Sequence, residues 1–161
     1  MTDRPTPADF ELTETTVADV HAAFEETTLT AAGSDGLTGP LHGIPVAIKD
    51  NHDTADMPTT AGSARFAEFV PESDAVVVER LREAGAVVVA KTNLQELSFG
   101  VDSVSSLGGE THNPYALDRR PSGSSGGTAA AVTSNLAVVG TGTDTCSSVR
   151  SPPAFTNLVG L

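Results

Sequence analysis

Tryptophan is absent from the chain, cysteine occurs once, and aromatic residues make up 4% of the sequence. A core built from such a composition must rest on Ala, Val and Leu. The lone cysteine, Cys146, excludes an internal disulfide and fits a reducing compartment. Positive charge is scarce: 9 basic residues stand against 21 acidic ones, a formal net charge of −12. That balance argues against a nucleic-acid partner. Only Lys49 and Lys91 are lysines. An acidic, lysine-poor surface fits a halophilic source, and an ordinary acidic soluble protein fits it too. No apolar run is long enough to cross a bilayer, and no basic, apolar leader opens the sequence. The expected location is therefore cytoplasmic, with no membrane partner. His21, His42, His52 and His112 show no metal-ligand spacing, so neither a metal nor a cofactor is expected.

What is present suffices for one domain. The 161 residues are 39% hydrophobic, enough for a usable core. Residues 1–14 are polar and carry Pro5 and Pro7, which reads as a disordered lead-in; residues 15–161 read as the domain. Thr15 or Thr16 is placed to cap a helix starting near Val17, followed by a Gly-, Ser- and Asp-containing loop over residues 32–40. Ile44 to Ile48 is a β-type run with Pro45 near its start, where a missing N–H does least harm. Asp74 to Ala84 has the spacing of an amphipathic helix. Val77, Val78 and Leu81 are expected on its buried side, Ser73 or Asp74 at its cap and Gly85 at its end. Ala86 to Ala90 then reads as a buried strand. Helix, glycine and apolar β run after a first strand suggest a β-α-β unit and an α/β fold. Leu94 to Phe99 reads as a short helical turn, residues 100–122 as a long loop of the kind that is usually functional, Thr128 to Ser134 as a helix and Leu136 to Gly140 as a buried strand.

Chemistry concentrates between Ser122 and Arg150. Two loops rich in small and hydroxyl-bearing residues, S-G-S-S-G-G-T and T-G-T-D-T-C-S-S-V-R, flank a short apolar helix and an apolar run. Such loops let backbone N–H groups approach a ligand closely and offer hydroxyl nucleophiles. A serine needs a base to take its proton, and neither loop supplies one. The nearest convincing candidate is Lys49, at the end of G-I-P-V-A-I-K-D. Simpler readings stand beside this one. Lys49 taken alone fits a strand-end lysine with its ammonium in water. The first loop could cradle a phosphate at a helix start, though it lacks the G-K-[ST] ending of a P-loop. Cys146 could be a reactive thiol, while cysteines in small-residue loops are more often inert.

Taken together, P-S-G-S-S-G-G-T-A-A-A-V at 121–132, G-T-D-T-C-S-S-V-R-S-P-P at 142–153, G-P-L-H-G-I-P-V-A-I-K-D-N at 39–51 and K-T-N-L-Q-E-L-S-F-G at 91–100 resemble the amidase signature family. The likeness runs from about Gly39 to Leu161. It implies an α/β amidase signature fold with a mixed, mostly parallel sheet flanked by helices. It also implies a Ser-cisSer-Lys triad, with Ser148 as nucleophile, Ser124 as the bridging serine after a cis peptide at Gly123–Ser124, and Lys49 as the base. The oxyanion hole it implies is made by the backbone N–H groups of Thr145, Cys146, Ser147 and Ser148. Asp144 and Arg150 are then expected to hold the nucleophile loop, paired with backbone or with each other.

Two departures from the family pattern bear on function. Cys146-Ser147 stands where Gly-Gly usually precedes the nucleophile, so a side chain is expected to be tolerated there, with the thiol outside the chemistry. Family members are also several times this length, so the expectation is a truncated product or part of a longer protein. The implied activity is hydrolysis of the C–N bond of a small-molecule carboxamide through an acyl-enzyme. The alternatives are the glutamine amidase subunit of a tRNA-dependent amidotransferase, or an inactive remnant that associates with another chain, or with itself, through an exposed sheet edge.

Overall fold

The computed structural model describes residues 39–161. The expected lead-in over 1–14, the helix from Val17 and most of the loop that follows lie outside the described residues. The described chain runs β1 (Pro45–Lys49), α1 (Val76–Glu83), β2 (Val87–Thr92), β3 (Val104–Ser105), β4 (Gly109–Glu110), α2 (Gly126–Thr133), β5 (Val139–Gly140) and α3 (Ser151–Phe155). Short 3-10 turns occupy Ala64–Phe66 and Glu96–Ser98. β1 is the central strand of a three-stranded parallel sheet of order β2-β1-β5. β3 and β4 form a small antiparallel pair. This is an α/β architecture with a mostly parallel sheet.

β1 explains the layout. Its residues after Pro45 are all buried, with Val46, Ala47, Ile48 and Lys49 at most 1% exposed. A strand covered on both faces reads as a continuous apolar run rather than an alternation, and that is what P-V-A-I provides. Ile44, Val46 and Ile48 join Val78 and Ala86 in the core, with Leu41, Ala75, Leu81, Val88 and Val138 packed against them. At roughly 1.5–3 kcal/mol for each large apolar side chain buried, this cluster is what fixes β1 in the middle. Lys49 is the last residue of that strand. In open parallel sheets the carboxyl ends of the strands face the ligand crevice, so a side chain at this point is placed for chemistry.

The α1 helix ends as its sequence requires. Gly85 has φ 91°, and its N–H bonds to Arg82 while that of Ala86 bonds to Leu81. This is a Schellman ending, which needs a residue at ease in the left-handed region. Its start differs from the expectation. The cap residue is Ala75, and Asp74 instead accepts a hydrogen bond from the N–H of Ala55 and pairs with Arg82 at 2.9 Å. Tertiary partners took the carboxylate that a cap would have used. The buried face also differs: Val78 is inaccessible and Leu81 packs on the core, but Val77 is 40% exposed.

Both expected buried strands are less covered than their composition suggests. β2 begins at Val87 and extends to Thr92, with Val89 47% exposed, because it is the edge of the described sheet. β5 is limited to Val139–Gly140, pairing with Val46 and Ala47, and Leu136 is exposed ahead of it. The α2 helix starts two residues before the expected Thr128, at Gly126. A Cβ on Gly127 would collide with the backbone of Asn93, so only glycine allows this close approach of helix and loop.

Candidate active site

Lys49 is completely buried although it ends a strand. Its Nζ lies 2.7 Å from Ser124 Oγ and 2.8 Å from Thr143 Oγ1, and donates to both. The reading of Lys49 as a strand-end lysine with its ammonium in water therefore does not hold. Burial disfavours the charged form, and the more distant carboxylate of Asp144 favours it. Burial wins: the pKa falls from 10.5 to about 8. At that value an appreciable fraction of the amine is neutral near neutral pH and able to accept a proton.

Ser124 reaches Lys49 from the loop that leads into α2. The Gly123–Ser124 peptide is cis. Ser124 and Ser125 are both buried, and the Ser124 carbonyl accepts from the N–H of Gln95. Ser103 Oγ fastens the same loop by donating to the Ser122 carbonyl at 2.8 Å and accepting from the Gly126 N–H at 2.9 Å. Strand, loop and helix start are thus bound to one another around the Lys49–Ser124 contact.

The second loop runs from β5 to α3. The Thr141 N–H bonds to the Ala47 carbonyl, and Thr141 Oγ1 accepts from the Lys49 N–H at 3.0 Å and contacts His52 Nδ1 at 2.9 Å. Two residues on, Thr143 Oγ1 takes the Lys49 Nζ. Ser148 follows, buried at 8% exposure, in the turn before α3. The loop is held by its own charges. Asp144 accepts from the Val149 N–H and pairs with Arg150 Nε at 3.1 Å, and Arg150 also donates to the Cys146 carbonyl. That is the holding role expected of the Asp144 and Arg150 pair. The Arg150 guanidinium pulls the Asp144 carboxyl down to about 2. The N–H groups of Arg150 and Ser151 bond to the Ser147 carbonyl. These hydrogen bonds use none of the N–H groups of Thr145, Cys146, Ser147 or Ser148. Cys146 is exposed.

The residues around Lys49 divide into hydroxyls and charges. His52 is pushed below its usual pKa first by burial, then by the positive charges of Lys49 and Lys91. Lys91, one strand over, stands 2.9 Å from Asp50 Oδ1 and donates to Thr54 Oγ1, Thr59 Oγ1 and the Pro58 carbonyl. The other Asp50 oxygen takes both the N–H and the hydroxyl of Thr60. Among the described residues no group of three His, Cys, Asp or Glu could hold a metal ion, and no helix is long and apolar enough to cross a membrane.

Sequence reading did not single out Thr141, Thr143 and Asn51, although all three contact the Lys49 region. Asn51 Nδ2 donates to Ser98 Oγ at 3.0 Å and to Thr143 Oγ1 at 2.9 Å. A signal was present. Thr141 and Thr143 flank Gly142 just after β5, and the hydroxyls of both reach Lys49 on β1.

The site can be set against known proteins. The family model Amidase matches residues 10–161. Among curated relatives, a glutamyl-tRNA(Gln) amidotransferase subunit from Carboxydothermus hydrogenoformans is 50% identical over 131 residues, which cover 81% of this chain and 27% of that protein. The protein of the same name from Natronomonas pharaonis is 51% identical over 123 residues, 76% of this chain and 29% of its own length. Among solved structures, the peptide amidase of Stenotrophomonas maltophilia matches with TM-score 0.70 at 50% identity, covering 73% of this chain and 25% of that one. The corresponding amidotransferase subunit from Thermotoga maritima matches with TM-score 0.70 at 46% identity, covering 73% and 26%. The chain thus spans between 25% and 29% of the length of these relatives.

Proposed function

The chain belongs to the amidase signature family, and on that footing we propose that it carries the catalytic serines and lysine of a carboxamide hydrolase. The observation that supports this most is the buried Lys49 amine, 2.7 Å from the Ser124 hydroxyl and lowered to a pKa of about 8. In the proposed reaction Ser148 attacks the carbonyl carbon of the amide. Its hydroxyl proton passes to Ser124 Oγ as the Ser124 proton passes to Lys49 Nζ. The oxyanion is stabilised by N–H groups of the segment Thr145–Ser148, which the loop's own hydrogen bonds leave unspent. Collapse expels the amine, which takes back the proton from Lys49 through Ser124. Water then cleaves the acyl-Ser148 ester by the same relay in reverse.

The test is hydrolysis by the protein as its gene expresses it. Ammonia release from simple carboxamides and from glutamine should be lost in Ser148→Ala, by about a thousandfold or more, and kept in Cys146→Gly. Loss in Cys146→Gly with activity kept in Ser148→Ala would transfer the nucleophile to the thiol. Glutamine as the better substrate would place the protein with the amidotransferase subunits whose sequences it matches. A second reading is favoured by one observation: Val139 of the short β5 strand and Leu136 just ahead of it are exposed. Under this reading the 161 residues by themselves have little activity and associate through that edge. Light scattering of the 161-residue chain showing a monodisperse monomer would sink it.

A further inference from the structure

We infer that Thr143 is a positioning residue for the lysine base: its hydroxyl holds one N–H of the Lys49 amine and so aims the amine's lone pair at Ser124. The inference rests on the reading of Lys49 as the base. Its own support is geometric. Thr143 Oγ1 lies 2.8 Å from Lys49 Nζ and 2.9 Å from Asn51 Nδ2. A hydroxyl oxygen has two lone pairs. Two incoming donors fill both, so toward Lys49 the threonine acts as an acceptor. Asn51 Oδ1 is buried without a partner in this arrangement. Turning the amide over would set that oxygen against the Ser98 and Thr143 hydroxyls, and the Thr143 proton would then point at Asn51. Either way the oxygen that faces Lys49 accepts.

The consequence follows from counting hydrogens. A neutral amine has two N–H bonds and one lone pair; an ammonium has three N–H bonds and none. With one N–H fixed on Thr143 at 2.8 Å, the 2.7 Å contact to Ser124 serves both states. When Lys49 is neutral the lone pair accepts from the Ser124 hydroxyl. When it is protonated the new N–H donates back along the same line. The amine need not turn between the two transfers. Lys49 is wholly buried, and Ser124 and Thr143 are the two side chains its amine contacts. The charged groups that face the amine are few: Asp144 from the same loop, already paired with Arg150, His52 beside the end of β1, and the Lys91–Asp50 pair.

The two lysines make the test direct. Lysine labelled with ¹³C at Cε gives one signal from Lys49 and one from Lys91, and the Lys91 signal reports an intact fold. In the wild type the Lys49 signal should titrate near 8. Thr143 accepts from the charged form more strongly than from the neutral form. Thr143→Val should therefore lower that midpoint by about one unit, and Thr143→Ser should restore it. In kinetics, Thr143→Val should reduce kcat on the order of tenfold with KM unchanged and move the acid limb of kcat/KM to lower pH. If the valine variant does not fold, Thr143→Ala carries the same measurement. A Lys49 midpoint that stays put in the variants overturns the inference, whether or not the rate falls, because a rate loss alone is what any structural role would give. A wild-type Lys49 midpoint at 10.5 instead overturns the base reading beneath it, and leaves the two failures distinct.

Discussion

The chain's two lysines end up on neighbouring strands and in opposite situations. Ile48 pairs with Lys91 and Lys49 with Thr92, so the two side chains leave adjacent parallel strands one step apart. Lys91 has a carboxylate at 2.9 Å, three oxygen acceptors and a slightly exposed side chain. Lys49 is fully buried and has two hydroxyls and no carboxylate in contact. The carboxylate whose charge acts on it, Asp144, is tied to Arg150. A buried lysine with a counter-charge is a structural cross-link. A buried lysine offered only neutral acceptors has its charged form penalised and becomes a proton acceptor. The difference lies in the partners, since both lysines sit at the ends of apolar strands.

Exchange of the roles by mutation gives the largest expected effects. Lys49→Ala should lower amide hydrolysis by about 10²–10⁴-fold while leaving the urea midpoint nearly unchanged, because relief from burying the ammonium offsets the cavity left behind. Lys91→Ala should do the reverse. It strands Asp50, 7% exposed, without its cation, and should cost about 3 kcal/mol in urea unfolding. Equal loss of stability in both variants would erase the contrast.

The next effect is the pH dependence of stability. Lys49 has a folded pKa of about 8 against an ordinary 10.5. Below pH 8 both folded and unfolded chains hold the proton, and the cost of burying the ammonium is fully present. Between about 8 and 10.5 the unfolded chain binds more protons, so stability rises with pH, by about 3 kcal/mol in total. Above 10.5 the cost is gone. Other groups titrate in the same window, so the measurement is the difference between wild type and Lys49→Met across about pH 7 to 11. A constant difference would show that Lys49 is not depressed.

The smallest effect concerns Asp144. Arg150→Gln should free that carboxylate, let its pKa rise from about 2, and leave its negative charge to act on Lys49. The Lys49 midpoint should rise by less than about one unit, and more at low salt than at about 1 M, where the Debye length is about 3 Å. A fall in the midpoint would mean that Arg150 acts on the lysine by another route.

Several features of the fold and the site are legible in the residues alone. The apolar run from Ile44 to Ile48 is legible as a strand, with Pro45 near its start and Lys49 at its end, while its central place in the sheet is not. The loops at 122–127 and 141–148 are legible as close-approach backbone from their small residues, and the structure supplies the partner at one point, the Asn93 backbone against Gly127. The Asp144–Arg150 pairing was also legible, because both residues lie within one short loop and need no distant partner. Other features depend on contacts between separate segments and could not be read locally. Asp74 looked like a cap until Arg82 and the Ala55 N–H claimed it. Val77 and Val78 are equally apolar, and packing against Ile44, Val46, Ile48 and Ala86 chose Val78. The lengths of β2 and β5 depended on which neighbours cover them. Above all, Lys49 and Lys91 carry the same side chain on similar strands. Their chemistry diverges because the fold brings Ser124 and Thr143, 75 and 94 residues away, to one amine and Asp50 to the other. Burial and the charge of the partner set a lysine's proton affinity, and neither is a local property of the chain.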